Sequence, residues 1–288
     1  MKTDRVIKIT DGKDRLTLTD MPYTVQNTSG FDTIDVKHIT SQGFRQDGVT
    51  LLGSSVSTRN LTIRGQIYAE TTQEMERLRL QLLNMFRPKA DITITQIFGG
   101  YKKSIIARAS KIPSIELTDV TCIQNYSVDL TAHMPYWLDP ATVVKIADTI
   151  GGFHFPVQTP THFGVKMSSP IAILKNESPD PVGMEIKFIA HGIVDTPKLL
   201  NIYTQEYIQI NAQMEQNEII TVTTGEKKTV TRYLNGEKTN YLNKIDLAGG
   251  GYTFLMLSPG DNVMRASAAD GESMLETQMS FNNRFPGM

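Results

Sequence analysis

Alternating apolar and polar residues recur along this chain, and this pattern constrains its fold more than any other feature. A side-chain period of two is typical of β-strands that bury one face. The segment from Leu61 to Ile67 alternates in this way, and a longer series of even-numbered small or apolar residues runs from Val120 to Ala132. Gly65 indicates a bulge or a close approach of two backbones. We therefore expect a mainly β protein, with Cys122 as a small core residue.

One segment has a helical period instead. Its apolar residues recur at spacings of three and four, which places them on one face of a helix. They are Met75, Leu78, Leu82 and Met85. Thr71 precedes Glu74 by three residues, the spacing of a capping box, and Pro88 stops further helical hydrogen bonding. The pattern predicts one helix, from Thr72 to Phe86.

The length of 288 residues favours two domains, since a domain typically has about 150. The period fades between residues 136 and 160, where proline and glycine crowd together. We expect an N-terminal β domain over 1–140, a linker over 141–160 and a C-terminal β-sandwich over 161–288.

Three local patterns predict details of the C-terminal domain. Residues 208–214 alternate and predict one strand. Asn235-Gly236 predicts a type I′ hairpin turn, because both residues tolerate a positive φ. Residues 249–251 and 258–262 are rich in turn-forming residues and predict the two ends of a strand between them.

Charge and hydropathy exclude several classes of protein. Lys and Arg number 29 against 30 Asp and Glu, so the chain lacks the basic excess of nucleic-acid-binding proteins. No apolar run reaches the roughly 18 residues of a membrane span, and the N-terminus lacks a secretory signal. We expect synthesis in the cytoplasm, no membrane insertion and no nucleic-acid partner. Only 20% of residues are charged, and an uncharged polar surface is buried against another subunit at lower cost.

The sequence shows no pattern of catalytic, cofactor-binding or metal-binding residues. A lone cysteine cannot form an internal disulfide, and the histidines are too scattered for a metal site. They are His38, His133, His154, His162 and His191. Asp180 and Asp195 stand beside prolines, where turn formation accounts for aspartate. We therefore expect a protein that is not an enzyme.

Three groups of residues leave alternatives open. The tyrosines of the C-terminal domain could form a platform for sugar rings, so a carbohydrate-binding β-sandwich that contacts cell-wall glycan is the alternative function. They are Tyr203, Tyr207, Tyr233, Tyr241 and Tyr252. Trp137 either anchors the linker, which we favour, or enters a partner's pocket. Four arginines near three glutamates form either interface ion pairs or, preferably, solvated pairs on the helix face. They are Arg59, Arg64, Arg77 and Arg79, near Glu70, Glu74 and Glu76.

Taken in order, these landmarks resemble the distal tail protein (Dit) family of long-tailed phages and phage-derived particles. The resemblance covers nearly the whole chain. It comprises the helix at 72–86, the segment Pro135-Tyr136-Trp137-Leu138, the segments 176–183 and 186–192, Leu234-Asn235-Gly236, and a closing hairpin and turn at 254–262.

The resemblance implies a virion tail protein. The N-terminal domain would form a ring of six copies between the tail tube protein and the baseplate hub, and the C-terminal domain would be a galectin-like sandwich on its periphery. Receptor-binding proteins are a further candidate partner, although no segment after the linker is long enough to form an extra arm.

Overall fold

In the described part of the chain the protein is mainly β with one α-helix, which confirms the expected fold class. The computed structural model describes residues 5–116, 122–147, 171–246 and 254–287. Its contacts divide the chain into a first unit, Met1–Pro140 with Phe285–Met288, and a second unit, Ala141–Arg284. The chain therefore enters the second unit after Pro140 and returns to the first unit at Phe285.

The first unit contains the helix and most of the longer strands. Its elements are β1 (Val6–Thr10), β2 (Arg15–Thr17), β3 (Tyr23–Ser29), β4 (Val36–Ser41), β5 (Thr50–Val56), β6 (Arg59–Tyr68), α1 (Thr72–Met85), β7 (Ile92–Phe98), β8 (Tyr101–Ala109), β9 (Ser114–Glu116), β10 (Ile123–Ala132) and β11 (Trp137–Leu138).

The second unit continues the chain with shorter strands. Its elements are β12 (Thr142–Ala147), β13 (Ile171–Asn176), β14 (Glu185–Ala190), β15 (Val194–Asp195), β16 (Lys198–Asn201), β17 (Tyr207–Gln209), β18 (Gln213–Met214), β19 (Ile219–Thr223), β20 (Thr229–Leu234), β21 (Glu237–Asn240), β22 (Gly260–Ser267) and β23 (Leu275–Phe281), followed by β24 (Arg284–Phe285) where the chain returns.

Most strands of the first unit join one antiparallel sheet. Its order is β2-β1-β7-β8-β10-β6-β3, with β9 paired to β10, and with β11 paired to both β8 and β24. Only two residue pairs, at Leu130 and Thr131 of β10, link β8 to β10. Apolar side chains from both halves of the sheet belong to one buried cluster, which also includes the apolar face of α1.

The helix forms where the apolar period predicted it. Its four buried residues are the predicted stripe, Met75, Leu78, Leu82 and Met85. Thr71 caps the first turn, with its Oγ1 accepting from the Glu74 N–H at 3.1 Å. The Glu74 carboxylate accepts from the Glu70 N–H at 2.9 Å rather than from Thr71, so the cap differs from a capping box by one residue. The helix ends at Met85, within one residue of the expected end.

Gly65 is a point of close backbone approach, as its interruption of the pattern indicated. A Cβ atom there would lie 1.8 Å from the carbonyl oxygen of Thr24 and 2.7 Å from the Tyr126 hydroxyl oxygen. The register between β3 and β6 shifts at this point, between Val25 and Asn27. The Tyr126 hydroxyl uses the space and donates to the Thr24 carbonyl at 3.0 Å.

The second unit is a β-sandwich, as the strand pattern predicted. One sheet has the order β12-β23-β14-β19-β20-β21, and the other has the order β13-β22-β16-β17. Inward side chains of both sheets, such as Phe188 of the first and Met264 of the second, belong to one buried cluster. The turn at Asn235-Gly236 has positive φ at both residues, +51° and +86°, which confirms the type I′ prediction.

Several local expectations for the second unit were wrong. Residues 208–214 do not form one strand, because the chain bends after Gln209 and resumes as β18. Residues 258–262 do not end a strand, because β22 begins at Gly260, within that segment. Residues 249–251 and Tyr252 lie outside the described residues. The expected linker opens with the strand β12, which pairs with β23 along its length, and residues 148–160 lie outside the described part of the chain.

Cys122 also differs from expectation. It is half-buried and stands just before β10, whereas the even-numbered residues of β10 are buried from Gln124 to Ala132. Its Sγ atom lies 3.9 Å from the Glu70 carbonyl oxygen. Val120 lies outside the described residues.

The Asn262 side chain holds the loop before β22 in place. This residue is 2% exposed. Its amide group donates to the carbonyl oxygens of Ser258 at 2.7 Å and Gly260 at 3.0 Å, and its Oδ1 atom accepts from the Ser258 N–H at 3.0 Å. Both donor and acceptor are used, so only an amide satisfies this loop.

We expect Gly65→Ala to destabilise the first unit by about 2–4 kcal/mol, because the added methyl group would overlap backbone atoms that cannot move independently. Unfolding in denaturant, followed by the fluorescence of the single tryptophan Trp137, measures this. Gly53→Ala is the control, since no atom lies within 4 Å of a Cβ there, and it should change stability by less than about 0.5 kcal/mol. Equal stability of the two variants would contradict the packing described for Gly65.

We expect Asn262→Asp to destabilise the second unit by about 2–4 kcal/mol at pH 7, because a carboxylate would face two carbonyl oxygens. Burial would raise the pKa of the new carboxyl group above its unfolded value of about 4, so the folded state holds the proton more tightly. The loss relative to wild type should therefore be small at pH 3 and grow as the pH rises through that value.

Calorimetry at pH 3, 5 and 7 measures this dependence. Asn240→Asp is the control, since the exposed Asn240 side chain only accepts a hydrogen bond, from the Leu242 N–H at 3.0 Å. A pH-independent loss for Asn262→Asp would count against the donor role of its amide.

Candidate assembly surface

The described histidines do not come together as a site. His38 on β4 lies 2.8 Å from the Ser54 hydroxyl, and His191 lies 3.0 Å from the Glu276 carboxylate. His133 follows β10, while His154 and His162 lie outside the described residues. Within the described ranges, no three His, Cys, Asp or Glu residues are placed to hold a metal ion. The helices of those ranges are also too short or too polar to cross a membrane.

The two aspartates beside prolines are engaged in local structure. The main-chain carbonyl of Asp180 accepts from the Asn176 amide at 3.1 Å. Asp195 lies on β15, and its carboxylate accepts from the Thr196 hydroxyl at 3.1 Å. Asp180 lies in a bend, as the turn interpretation requires, whereas Asp195 lies within a strand, so the turn interpretation was wrong for Asp195.

The tyrosines proposed as a sugar platform are divided between the two sheets of the sandwich. Tyr203 and Tyr207 lie on the β16–β17 hairpin, whereas Tyr233 lies on β20 of the other sheet. The Tyr207 ring is covered by Lys198, whose Nζ atom lies 3.7 Å from the ring centroid. Tyr241 packs beside Arg232 in the same way, at 5.5 Å. Tyr252 lies outside the described residues.

The predicted charge cluster separates into two kinds of arginine. Arg77 and Arg79 form exposed pairs along α1, 3.8 Å from Glu74 and 3.4 Å from Glu76. Such pairs usually contribute less than about 1 kcal/mol, so they match the solvated helix-face interpretation. Arg59 is different, because it is 2% exposed and lies in the interior of the first unit.

A polar face of the sheet satisfies its own hydrogen bonds. Across β6 and β10, the Thr62 hydroxyl donates to Asp129 at 2.7 Å and the Gln66 amide donates to Asn125 at 3.0 Å. Lys111 lies 2.8 Å from the Asp129 carboxylate. Hydrogen bonds from Lys111 and then Thr62 hold the pKa of Asp129 below its ordinary value. A carboxylate held ionised in this way is a poor general acid or base near neutral pH.

The most unusual surface of the first unit is the hairpin of β4 and β5. Among the residues that the structure describes, these two strands pair only with each other, and every residue from Val36 to Val56 except Gly53 is exposed. The hairpin has large apolar side chains in contact with solvent. They are Val36, Ile39, Phe44, Val49, Leu51, Leu52 and Val56. Phe44 in the connecting loop is 94% exposed.

This concentration of apolar surface sets the hairpin apart. Of 21 exposed large apolar side chains in the described part of the chain, seven lie on this one hairpin. An isolated two-stranded hairpin is at best marginally stable in water. Contiguous exposed apolar surface in soluble proteins usually marks an interaction site. The exposed hairpin, defined as Val36 to Val56, is therefore the candidate assembly surface.

The sequence contains a signal for this hairpin that periodicity alone does not resolve. Two runs rich in β-branched and apolar residues, 36–40 and 49–56, flank a segment with Gly43 and Gly48. Such a pattern is typical of a hairpin with a longer loop. Since both faces of the strands carry apolar residues, the usual alternation is absent.

The base of the hairpin is closed by the body of the first unit. The Ser57 N–H donates to the Asp35 carbonyl at 2.8 Å. Below this bond, the buried Trp137 ring packs on Phe31 with a centroid distance of 5.4 Å. Its Nε1–H donates to the Phe31 carbonyl at 2.9 Å. Trp137 is thus an anchor within its own chain, the interpretation that the sequence favoured.

Comparison with protein families gives two matches. Residues 12–124 match a model described as the phage tail protein RIFT-related domain, and residues 177–285 match the C-terminal domain of the siphovirus-type tail component. The two models fall on the first and second units in turn. Comparison with curated protein sequences gives no match.

Solved structures share the fold over nearly the whole chain. The crystal structure of the SPP1 Dit (gp 19.1) protein, described as a paradigm of the hub adsorption apparatus in phages infecting Gram-positive hosts, has a TM-score of 0.67 and 13% identity, covering 97% of this chain and 99% of that one. Chains of the phage P2 baseplate in its activated conformation, with calcium or with strontium, have TM-scores of 0.57 and 0.55 and 11% identity, covering 99% of both chains in each comparison.

Both family models describe domains of phage tail proteins and they cover residues 12–124 and 177–285 in turn, while the described residues are mainly β with one α-helix, as the resemblance implied. The chain belongs to the distal tail protein family of siphovirus-type tail components.

Proposed function

We propose that this protein forms a ring of six copies at the distal end of a phage or phage-derived tail, where it joins the tail tube protein to the baseplate hub. Membership of the distal tail protein family supports a structural role in the tail and baseplate. The virion tail is accordingly the proposed location, with synthesis in the host cytoplasm. We also propose that the protein has no enzymatic activity.

The exposed hairpin is the observation that carries the proposal. A ring of identical subunits uses head-to-tail contacts, in which one surface of a subunit meets a different surface of its neighbour. A projecting hairpin with apolar side chains on both faces is suited to such a contact, because it can be covered on two sides at once. Burying these side chains would supply roughly 25 cal/mol for each Å² removed from water.

The polar face of β6 and β10 also supports the hairpin as the contact surface, because this face does not need a partner. Its polar side chains pair with each other across the strands, as at Thr62–Asp129 and Gln66–Asn125. That face is stable in contact with water, whereas the hairpin is the part of the first unit that gains most from a partner.

Light scattering on the purified protein tests the ring. We expect a mass near six times the 32.1 kDa protomer, either alone or after addition of the neighbouring tube or hub protein. A chain that stays monomeric under both conditions, and that binds cell-wall polysaccharide, would overturn the ring in favour of the carbohydrate-binding alternative.

A substitution in the hairpin tests the surface. Leu52 is 65% exposed, so Leu52→Lys should leave the fold intact and weaken association by about tenfold or more, since a lysine buried in an apolar contact loses its hydration. Ile193→Lys is the matched control, because Ile193 of the second unit is 67% exposed. Concentration series by light scattering, with circular dichroism as the folding check, give the comparison. Equal association of both variants would exclude the hairpin from the contact.

A further inference from the structure

A single buried arginine joins the base of the exposed hairpin to the last residues of the chain. Arg59 is the first residue of β6, just after the hairpin. One guanidinium nitrogen, Nη1, donates to the Phe31 carbonyl at 3.0 Å, and the other, Nη2, donates to the Pro286 carbonyl. Phe31 lies in the bend before the hairpin, so Arg59 connects the segment that enters the hairpin, the start of β6 and residues 285–287, called the 285–287 segment.

The segment that enters the hairpin makes further contacts with the first unit. The Phe31 carbonyl also accepts from the Trp137 indole at 2.9 Å. Gly30, with φ +80°, brings the backbone so close to β6 that a Cβ atom would lie 1.9 Å from the Asn60 carbonyl oxygen. The backbone before the hairpin therefore has little freedom to shift while these contacts persist.

The 285–287 segment makes further contacts with the rest of the first unit. The Lys103 ammonium lies 3.9 Å from the centroid of the Phe285 ring, and 3.5 Å from the Gly287 carbonyl oxygen. A Cβ atom at Gly287 would lie 3.3 Å from the Asp32 carbonyl oxygen. The 285–287 segment thus lies directly against the backbone that enters the hairpin.

The exposed hairpin is attached to the rest of the first unit at its base. Strands β4 and β5 pair only with each other in the described part of the chain, and the Ser57–Asp35 bond closes them at the base. An arginine suits this position, because its planar fork reaches two acceptors on different segments at once. Lysine is shorter and its three N–H donors share one nitrogen, so it does not reach two acceptors on different segments as two separate guanidinium nitrogens do.

We propose that Arg59, together with the 285–287 segment, is a positioning group that fixes the orientation of the exposed hairpin. Its consequence for assembly depends on the proposed ring, whereas its effect on the hairpin itself does not. Residues 285–287 are thereby part of the structure that presents the assembly surface.

The experiment measures hairpin motion and assembly separately. A fluorophore attached at Phe44→Cys, in a Cys122→Ser background, reports the mobility of the hairpin by time-resolved anisotropy. Hydrogen exchange over residues 36–57 reports the opening of its base. The variants are Arg59→Lys, removal of residues 285–288 and Trp137→Phe, which keeps an aromatic side chain, removes the indole N–H donor and leaves a small cavity in place of the larger ring. Arg64→Lys is the control, since Arg64 lies on the same strand and is exposed.

We expect Arg59→Lys and the shortened chain to increase hairpin mobility and to speed exchange at its base by about fivefold, the effect of losing one hydrogen bond. Their effects should not add, because both remove the bond between Arg59 and Pro286. Arg64→Lys should leave both measurements unchanged. Removal of residues 285–288 also removes the contacts of Phe285 and Gly287 with Lys103, so Trp137→Phe provides a second test with the 285–287 segment intact, and it should shift exchange in the same direction.

The positioning role would be overturned if Arg59→Lys showed the same hairpin mobility and exchange as the wild type. It would also be overturned if protection were lost uniformly across the first unit. A wild-type protein that never forms a ring would refute the proposed function, while the anisotropy and exchange data would still decide the role of Arg59. In a protein that does form the ring, Arg59→Lys should weaken association about fivefold, and unchanged association would show that assembly does not need the fixed orientation.

Discussion

The burial of Arg59 is the constraint on which much of the first unit depends. A cation taken out of water is costly unless its hydrogen-bonding groups are satisfied. Burial lowers the pKa of Arg59, and the nearby charge of Asp32 opposes that shift. Carbonyl oxygens at Phe31 and Pro286 provide the direct contacts. The chain must bring both segments to this point, which fixes where β6 begins and where the last residues lie.

The two faces of the first unit that meet solvent differ in how they are stabilised. The polar side chains of β6 and β10 bond to each other, so that surface is complete in a single subunit. The apolar side chains of the hairpin from Val36 to Val56 are not covered in this way by other residues of the first unit, and they remain in water. An assembling protein combines both kinds of surface, since one must stay wet while the other must find a partner.

Sequence periodicity predicted the elements whose burial is one-sided. The stripe from Met75 to Met85 predicted the helix to within one residue, and the alternation at 61–67 predicted β6 with its close approach at Gly65. These elements are predictable because one face is buried by the subunit itself. The exposed hairpin was missed for the opposite reason, since both faces of its strands are exposed and carry apolar residues, so its sequence does not alternate. The turn-forming residues 258–262 predicted the end of a strand but mark the start of β22. Asn262 belongs to that strand, and its side chain bonds the carbonyl groups of the loop before it.

The passage of the chain out of the first unit and back again has a consequence for its biosynthesis. The second unit is an insertion between Pro140 and Phe285, so the ribosome makes all of it before it makes the strand that pairs with β11. The contact between Arg59 and Pro286 therefore forms only after the whole second unit has been synthesised. Until then the base of the hairpin lacks one of its hydrogen bonds. Synthesis of the second unit thus precedes completion of the first unit.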